Sequence, residues 1–204
     1  MQILKYEFIG KNKYNLYLSN GEVLELSEEV ITQNQLLFKK KIDQELYYKI
    51  NADNKIYQFF EMAAKYISLR LRSIKEIRDY LQKKGASDDE IDLVIDKLIN
   101  MGYLDDDRFT QAFINDKLNF TTMGDYKIRL ELDKLGVSQS IIEKNISLID
   151  DELIENKIKK VIDKDIRTNK KYKGIALKNK IYNHLLTSGY SKEKVINIIN
   201  NYDF

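Results

Sequence analysis

The sequence predicts a mainly α-helical protein in which tandem three-helix repeats form an elongated curved array, preceded by a small β-containing N-terminal region. Three observations predict it. From Lys55 onward, apolar residues recur at spacings of three and four, the signature of helices with one buried face. Gly85, Gly136 and Gly189 occupy matching points of one pattern that is written three times. Before that, the chain alternates with period two and carries an Asn20-Gly21 pair between alternating runs, the pattern of small antiparallel strands.

Taken in order, Leu4, Tyr6 and Phe8 alternate with Lys5 and Glu7, then Tyr14, Leu16 and Leu18 alternate, and a third short run ends at Leu24 and Leu26. Ser27 followed by Glu28, Glu29 and Val30 opens a short helix, its acidic residues at the end where unpaired N–H groups favour them. A second helix is expected over Asp43 to Ile50. Ile56, Phe59, Phe60, Ala63, Ala64 and Ile67 then form an apolar stripe. Ser73 with Glu76, and Ser87 with Glu90, have the spacing in which a serine and a glutamate cap a helix reciprocally. Gly85 and Gly102 end those two helices.

The repeat rests on register. Leu81, Gly85 and Ser87 recur as Leu132, Gly136 and Ser138, and again as Leu185, Gly189 and Ser191. At fixed steps beyond each glycine stand Ile91, Ile95 and Leu98, then Ile142, Ile146 and Ile149, then Val195, Ile199 and Tyr202, with Ile77, Ile128 and Ile181 preceding. A unit of about fifty residues is short of core by itself and buries its remaining apolar faces by stacking. The expected division is 1–54, small sheet and short helices; 55–103, first repeat; 104–150, second; 151–204, third.

Composition limits the chemistry. The 204 residues include no cysteine, proline or tryptophan, so there is no disulfide framework, thiolate nucleophile or zinc finger, which fits a reducing compartment. The opening MQILKYEFIG lacks a basic leader followed by an apolar run, and no stretch approaches the apolar length of a membrane span. A soluble cytoplasmic monomer with no membrane contact is expected. There is no G-x-x-x-x-G-K segment and no Ser-His-Asp or Cys-His arrangement, so no catalytic, cofactor-binding or metal-binding residues are expected. His184, the sole histidine, reads as a surface or interhelical contact. Asp105, Asp106 and Asp107 open a helix, where carboxylates meet the positive end of its dipole.

What remains is charge. The net charge is +2, but Lys157 to Lys180 holds ten basic residues against Asp163 and Asp165. Such a field attracts polyanions; a solvated helix pair is the plainer reading. The candidate partner-binding residues are Arg70, Arg72, Arg78, Lys83 and Lys84 in the first repeat, and Lys157, Lys160, Lys164, Arg167, Lys170, Lys171 and Lys173 in the third. Arginine offers a planar fork for carboxylate or phosphate, whereas Arg72 is also spaced to pair internally with Glu76.

AKYISLRLRSIKEIRDYLQKKG from Ala64 to Gly85, the Ile91 to Leu98 stripe, GYLDDDRF from Gly102 to Phe109 and GDYKIRLELDKLG from Gly124 to Gly136 resemble the RecX family of regulatory proteins. The sequence departs from that pattern at Leu71, where proline is common, at Thr110, where alanine is common, and at Lys117, where arginine often stands. The resemblance implies a non-enzymatic regulator in DNA recombination, repair and the SOS response. It would bind along the groove of the RecA nucleoprotein filament and inhibit ATP hydrolysis and strand exchange, with direct contact to single- or double-stranded DNA a further expectation. A helical nucleic-acid-binding protein with no specific RecA role is the alternative.

Overall fold

A computed structural model describes residues 1–204. The chain divides into two compact units, one of Met1–Arg70 with Ile77–Tyr103 and one of Leu71–Glu76 with Leu104–Phe204.

In the first unit, β1 (Ile3–Gly10), β2 (Lys13–Leu18) and β3 (Val23–Ser27) form an antiparallel sheet in that order. Gly21 takes a positive φ in the Asn-Gly turn, as the sequence predicts. Leu16, Leu18 and Leu26 are buried, but the alternation in β1 does not mark a buried face: Leu4 is 65% and Phe8 60% exposed. Leu4 falls where the β1–β2 register slips between Ile3 and Lys5, and a bulged residue has no fixed place in the alternation. Ser27 caps α1 (Glu28–Gln33) by accepting from Val30 N–H.

One helix, α2 (Gln44–Ile67), occupies the region where the sequence predicts two. The segment Asn51-Ala52-Asp53-Asn54, which lies between the expected helix ending at Ile50 and the stripe starting at Ile56, is helical and tied in place. Asn51 Nδ2 donates to Tyr47 O one turn back at 2.8 Å, Asn34 donates to Asp53 at 2.8 Å, and Asn54 donates to Glu25 O of β3 at 2.8 Å. With no glycine or proline to stop it, the helix carries these polar residues against the sheet and α1. Then come α3 (Ile74–Lys83) and α4 (Asp88–Asn100). Both predicted capping pairs form: Ser73 and Glu76 exchange bonds of 3.2 Å, and Ser87 with Glu90 closes a full capping box. The Lys97 ammonium pairs with Glu29 and lies over the rings of Phe60 (4.5 Å) and Tyr57 (5.4 Å), tying α4 to α1 and α2.

The second unit holds α5 (Asp106–Phe120), α6 (Asp125–Lys134), α7 (Gln139–Ile146), α8 (Asp151–Thr168), α9 (Gly174–Thr187) and α10 (Lys192–Ile199). The helices thus form three tandem sets of three, α2–α4, α5–α7 and α8–α10. Ile77, Ile128 and Ile181, and likewise Leu81, Leu132 and Leu185, are wholly buried. Full burial of such a side chain is worth about 1.5–3 kcal/mol. Leu118 and Ile149 pack against the cores of both the second and the third set and so join them.

Gly85, Gly102, Gly136 and Gly189 all have positive φ, between 72° and 91°. At each, the glycine N–H and the next N–H turn back onto the helix just ended, as Gly189 N–H to Leu186 O (3.0 Å) and Tyr190 N–H to Leu185 O (3.2 Å) show. Inside the second unit these turns are also seats. Ser73 Oγ donates to Leu135 O at 2.7 Å and Lys75 Nζ to Lys134 O at 2.9 Å, so side chains at the start of α3 and just before it cap the last turn of α6. One repeat later, Gly124 N–H donates to Ser188 O at 2.8 Å and Tyr126 N–H to Gly189 O at 3.1 Å. Orphan N–H groups of one helix thereby satisfy orphan carbonyls of another.

Candidate partner-binding surface

Of the twelve predicted contact residues, two have their charged heads committed inside the protein. Arg72, with its side chain only 10% exposed, pairs with Glu76 at 3.2 Å. Lys157, reached from α8, donates to the carbonyls of Leu118 and of Thr121 (2.9 Å) at the end of α5. Burial, and then the neighbouring Lys160, push its pKa below the ordinary lysine value. A cation at a helix C-terminus that also satisfies its last carbonyls is part of the fold. Both charged heads are held by partners within the protein, Arg72 by Glu76 and Lys157 by the last carbonyls of α5, and each braces the fold where it stands.

The other first-repeat candidates are dispersed. Arg70 is exposed at the end of the first unit's leading segment, Arg78 pairs with Asp92 of α4, Lys83 is exposed, and Lys84 lies 5.6 Å from the Tyr80 ring. Asp88, Asp92 and Asp96 recur every fourth residue along α4, with Asp89 beside the first, and all four are exposed. The first repeat therefore presents mixed charge.

In the third repeat, Lys160, Lys164 and Arg167 are exposed and spaced four and three apart on α8, which places them on one face. Lys170, Lys171 and Lys173 continue the exposed cations through the turn into α9, with Lys171 and Lys180 at 5.3 and 4.4 Å from the Tyr172 ring. Beside Lys160 and Lys164 opens a cleft of about 210 Å³ between α8 and the end of α5, lined also by Leu118, Asn119, Thr121, Thr122, Lys157 and Val161. It has three lysines and no carboxylate in its wall. The charge count finds its cationic half; the threonines come from a segment 35 residues or more earlier, with no charge or repeat signal to single them out.

The remaining chemistry-bearing residues are bracing. Asp105 caps α5 by accepting from Asp107 N–H (2.8 Å) and Arg108 N–H (3.0 Å). Asp106 accepts from Ile74 N–H at 2.9 Å, and burial raises its pKa above the ordinary aspartate value. Asp107 accepts from Asn145 (2.8 Å) and Lys144 (3.1 Å), which lower its pKa. The triplet thus braces three different elements. His184 Nδ1 lies 2.5 Å from Asp165 Oδ2, a contact between α9 and α8, as predicted. Thr110 and Lys117, two departures from the family pattern, are also internal: Thr110 Oγ1 donates to Asp106 O at 2.6 Å and Lys117 pairs with Glu131 at 2.8 Å.

Tandem three-helix sets, each with a glycine-closed turn between its second and third helices and with a cationic face on the third set, define a helical-repeat protein. Family models for the first and second three-helix domains of RecX match residues 60–98 and 105–144. The chain is 30% identical over 202 residues to the regulatory protein RecX of Clostridium botulinum, covering 97% of this chain and 94% of that one. It is 37% identical over 139 residues to the regulatory protein RecX of a Geobacillus strain, a match that takes in 67% of this chain and only 51% of the relative. A crystal structure of a regulatory protein RecX has the same fold, with a TM-score of 0.88 over 98% of this chain and 99% of that one at 21% identity. The chain belongs to the RecX family of regulatory proteins. No helix is long and apolar enough to cross a membrane.

Proposed function

We propose that this protein is a non-enzymatic, monomeric, cytoplasmic modulator that binds the RecA–DNA filament and inhibits its ATP hydrolysis and strand exchange. Membership of the RecX family supports the partner. The observation that carries the physical side is the exposed row Lys160, Lys164 and Arg167, continued by Lys170, Lys171 and Lys173. A row of cations suits a filament that presents phosphate and acidic side chains, and several weak contacts held on one chain act together through effective concentration. Arg70, Arg78, Lys83 and Lys84 are auxiliary contacts in the proposal. Arg72 and Lys157 support the surface from within.

The test is inhibition of RecA-catalysed strand exchange and DNA-dependent ATP hydrolysis, with a thermal melt for each variant. Reversing Lys160, Lys164 and Arg167 together to glutamate should weaken inhibition at least tenfold and leave the melt near the parent's, since all three are exposed. A folded triple variant that inhibits as well as the parent removes the row from the mechanism. A parent that neither binds nor inhibits the filament removes the filament reading. Equal affinity for free DNA and for assembled filament favours a nucleic-acid-binding protein with no specific RecA role.

A further inference from the structure

Phe120 is 83% exposed, the second most exposed of the large apolar side chains after Phe38. It is the last residue of α5, and its neighbours Asn119 and Thr121 both line the lysine cleft. The Thr121 hydroxyl donates to Lys117 O (2.7 Å) and accepts from Met123 N–H (3.2 Å), which holds the chain in a tight exit from the helix. Lys157 grips the same exit from the α8 side through the carbonyls of Leu118 and Thr121. The backbone that carries the exposed Phe120 is thereby held by part-buried polar contacts on both sides of it.

An exposed phenylalanine leaves apolar surface in water, which costs free energy, and the lysines of a three-lysine cleft repel one another. Each feature alone has ordinary explanations. Together they supply the two halves of single-strand recognition, a cationic channel for the backbone and an aromatic face for an unstacked base. The spacing is suitable: Lys160 and Lys164 are about 6 Å apart along the α8 axis at 1.5 Å per residue, comparable with the reach between neighbouring phosphates of an extended strand.

We infer that the cleft between the end of α5 and α8 is a binding site for single-stranded nucleic acid, with a backbone phosphate held by Lys160, Lys164 and the exposed Thr122 and a base stacked on Phe120. The inference deepens the filament proposal and rests on it only for where the strand is met in the cell. Duplex is a poorer ligand for this geometry, because its bases are already stacked and offer no free face to Phe120. An acidic peptide would use the lysines and leave the ring idle. Lys157 adds to the cleft's positive potential without reaching the ligand; burial and the nearby Lys160 hold its pKa down, and a bound phosphate would raise it.

The test is fluorescence anisotropy with a labelled oligothymidylate of about fifteen nucleotides, the same sequence as duplex, and a polyglutamate peptide as competitor, all without RecA. Phe120→Ala should weaken binding of the single strand about tenfold with its salt dependence unchanged, and Phe120→Tyr should restore it, because stacking needs an aromatic face. Replacing Lys160 and Lys164 by glutamine should weaken binding and flatten the slope of log affinity against log salt by about 0.7 for each phosphate no longer neutralised. All three positions are exposed, and unchanged melts will show that folding is intact. No binding by the parent, indifference to Phe120→Ala, tighter binding of duplex, or equal competition by polyglutamate each overturns the inference. Strand-exchange inhibition run alongside separates the two proposals. A parent that binds the strand as described but does not inhibit RecA sinks the filament reading alone, and a parent that inhibits RecA but fails the strand assay sinks this site alone.

Discussion

Gly85, Gly136 and Gly189 close α3, α6 and α9 with the same pair of backturned hydrogen bonds, yet their surroundings differ. A methyl group added at Gly85 would meet nothing within 4 Å, whereas at Gly136 it would stand 2.6 Å from Lys75 Cβ and at Gly189 2.6 Å from the Lys127 backbone nitrogen. Facing Gly189 is Gly124, whose own added Cβ would run into the Gly189 carbonyl. The first glycine therefore answers only to the left-handed backbone, and the other two also to close approach of a second helix. The same Leu, Gly and Ser pattern can carry two different burdens once a neighbour is seated on one copy.

Substitution should rank the turns accordingly. Gly189→Ala adds overpacking against backbone to the penalty of positive φ and is expected to destabilise by about 2–4 kcal/mol in urea unfolding. Gly136→Ala should be lower, about 2–3 kcal/mol, because its obstacle is a lysine side chain that can partly yield. Equal losses at Gly85 and Gly189 would show that the seating of α6 on the α9 turn adds nothing. Lys157→Met keeps the apolar stem but strips the ammonium from the carbonyls of Leu118 and Thr121, so a loss of about 1–3 kcal/mol is expected. A neutral result would mean that water satisfies those carbonyls equally well. Gly85→Ala should be near 1 kcal/mol, the backbone penalty by itself.

The smallest effect separates two adjacent carboxylates by sign. Asp107 is held below the ordinary aspartate value by Asn145 and Lys144, so its contribution is present above that value and is lost as pH falls through the folded pKa. Asp106 is raised by burial, so its ionised form weakens the fold at neutral pH and the penalty is relieved as pH falls. In melts between about pH 6 and pH 3, the deficit of Asp107→Asn relative to the parent should shrink on acidification. The relative advantage of Asp106→Asn should shrink over the same range. Parallel curves would refute the opposed assignment.

Much of the fold is legible in the sequence because it is local. Glycine closure, serine–glutamate capping and three-four apolar spacing act within one helix and its ends, and that pattern alone places Ile77, Leu81, Leu132 and Ile181 in the core. The sheet is recognisable from alternation, but which face of β1 is covered is not, since the register slip at Leu4 depends on pairing with β2. Continuity of α2 escapes a local reading because the bonds that hold Asn51, Asp53 and Asn54 come partly from Asn34 and Glu25, far earlier in the chain.

By itself the sequence determined three helical sets, where most of their helices end, and that the third carries the densest positive charge. Those properties follow from backbone conformation, helical periodicity and the count of ionised groups, none of which needs a distant partner. Only the tertiary structure decided how the charges are used. It turned Arg72 toward Glu76 and Lys157 toward the end of α5, left Lys160, Lys164 and Arg167 facing water, and brought Asn119, Thr121 and Thr122 to the lysines of α8. The physical reason is desolvation: whether a cation is a brace or a contact depends on what excludes water from it, and that is set by residues many positions away.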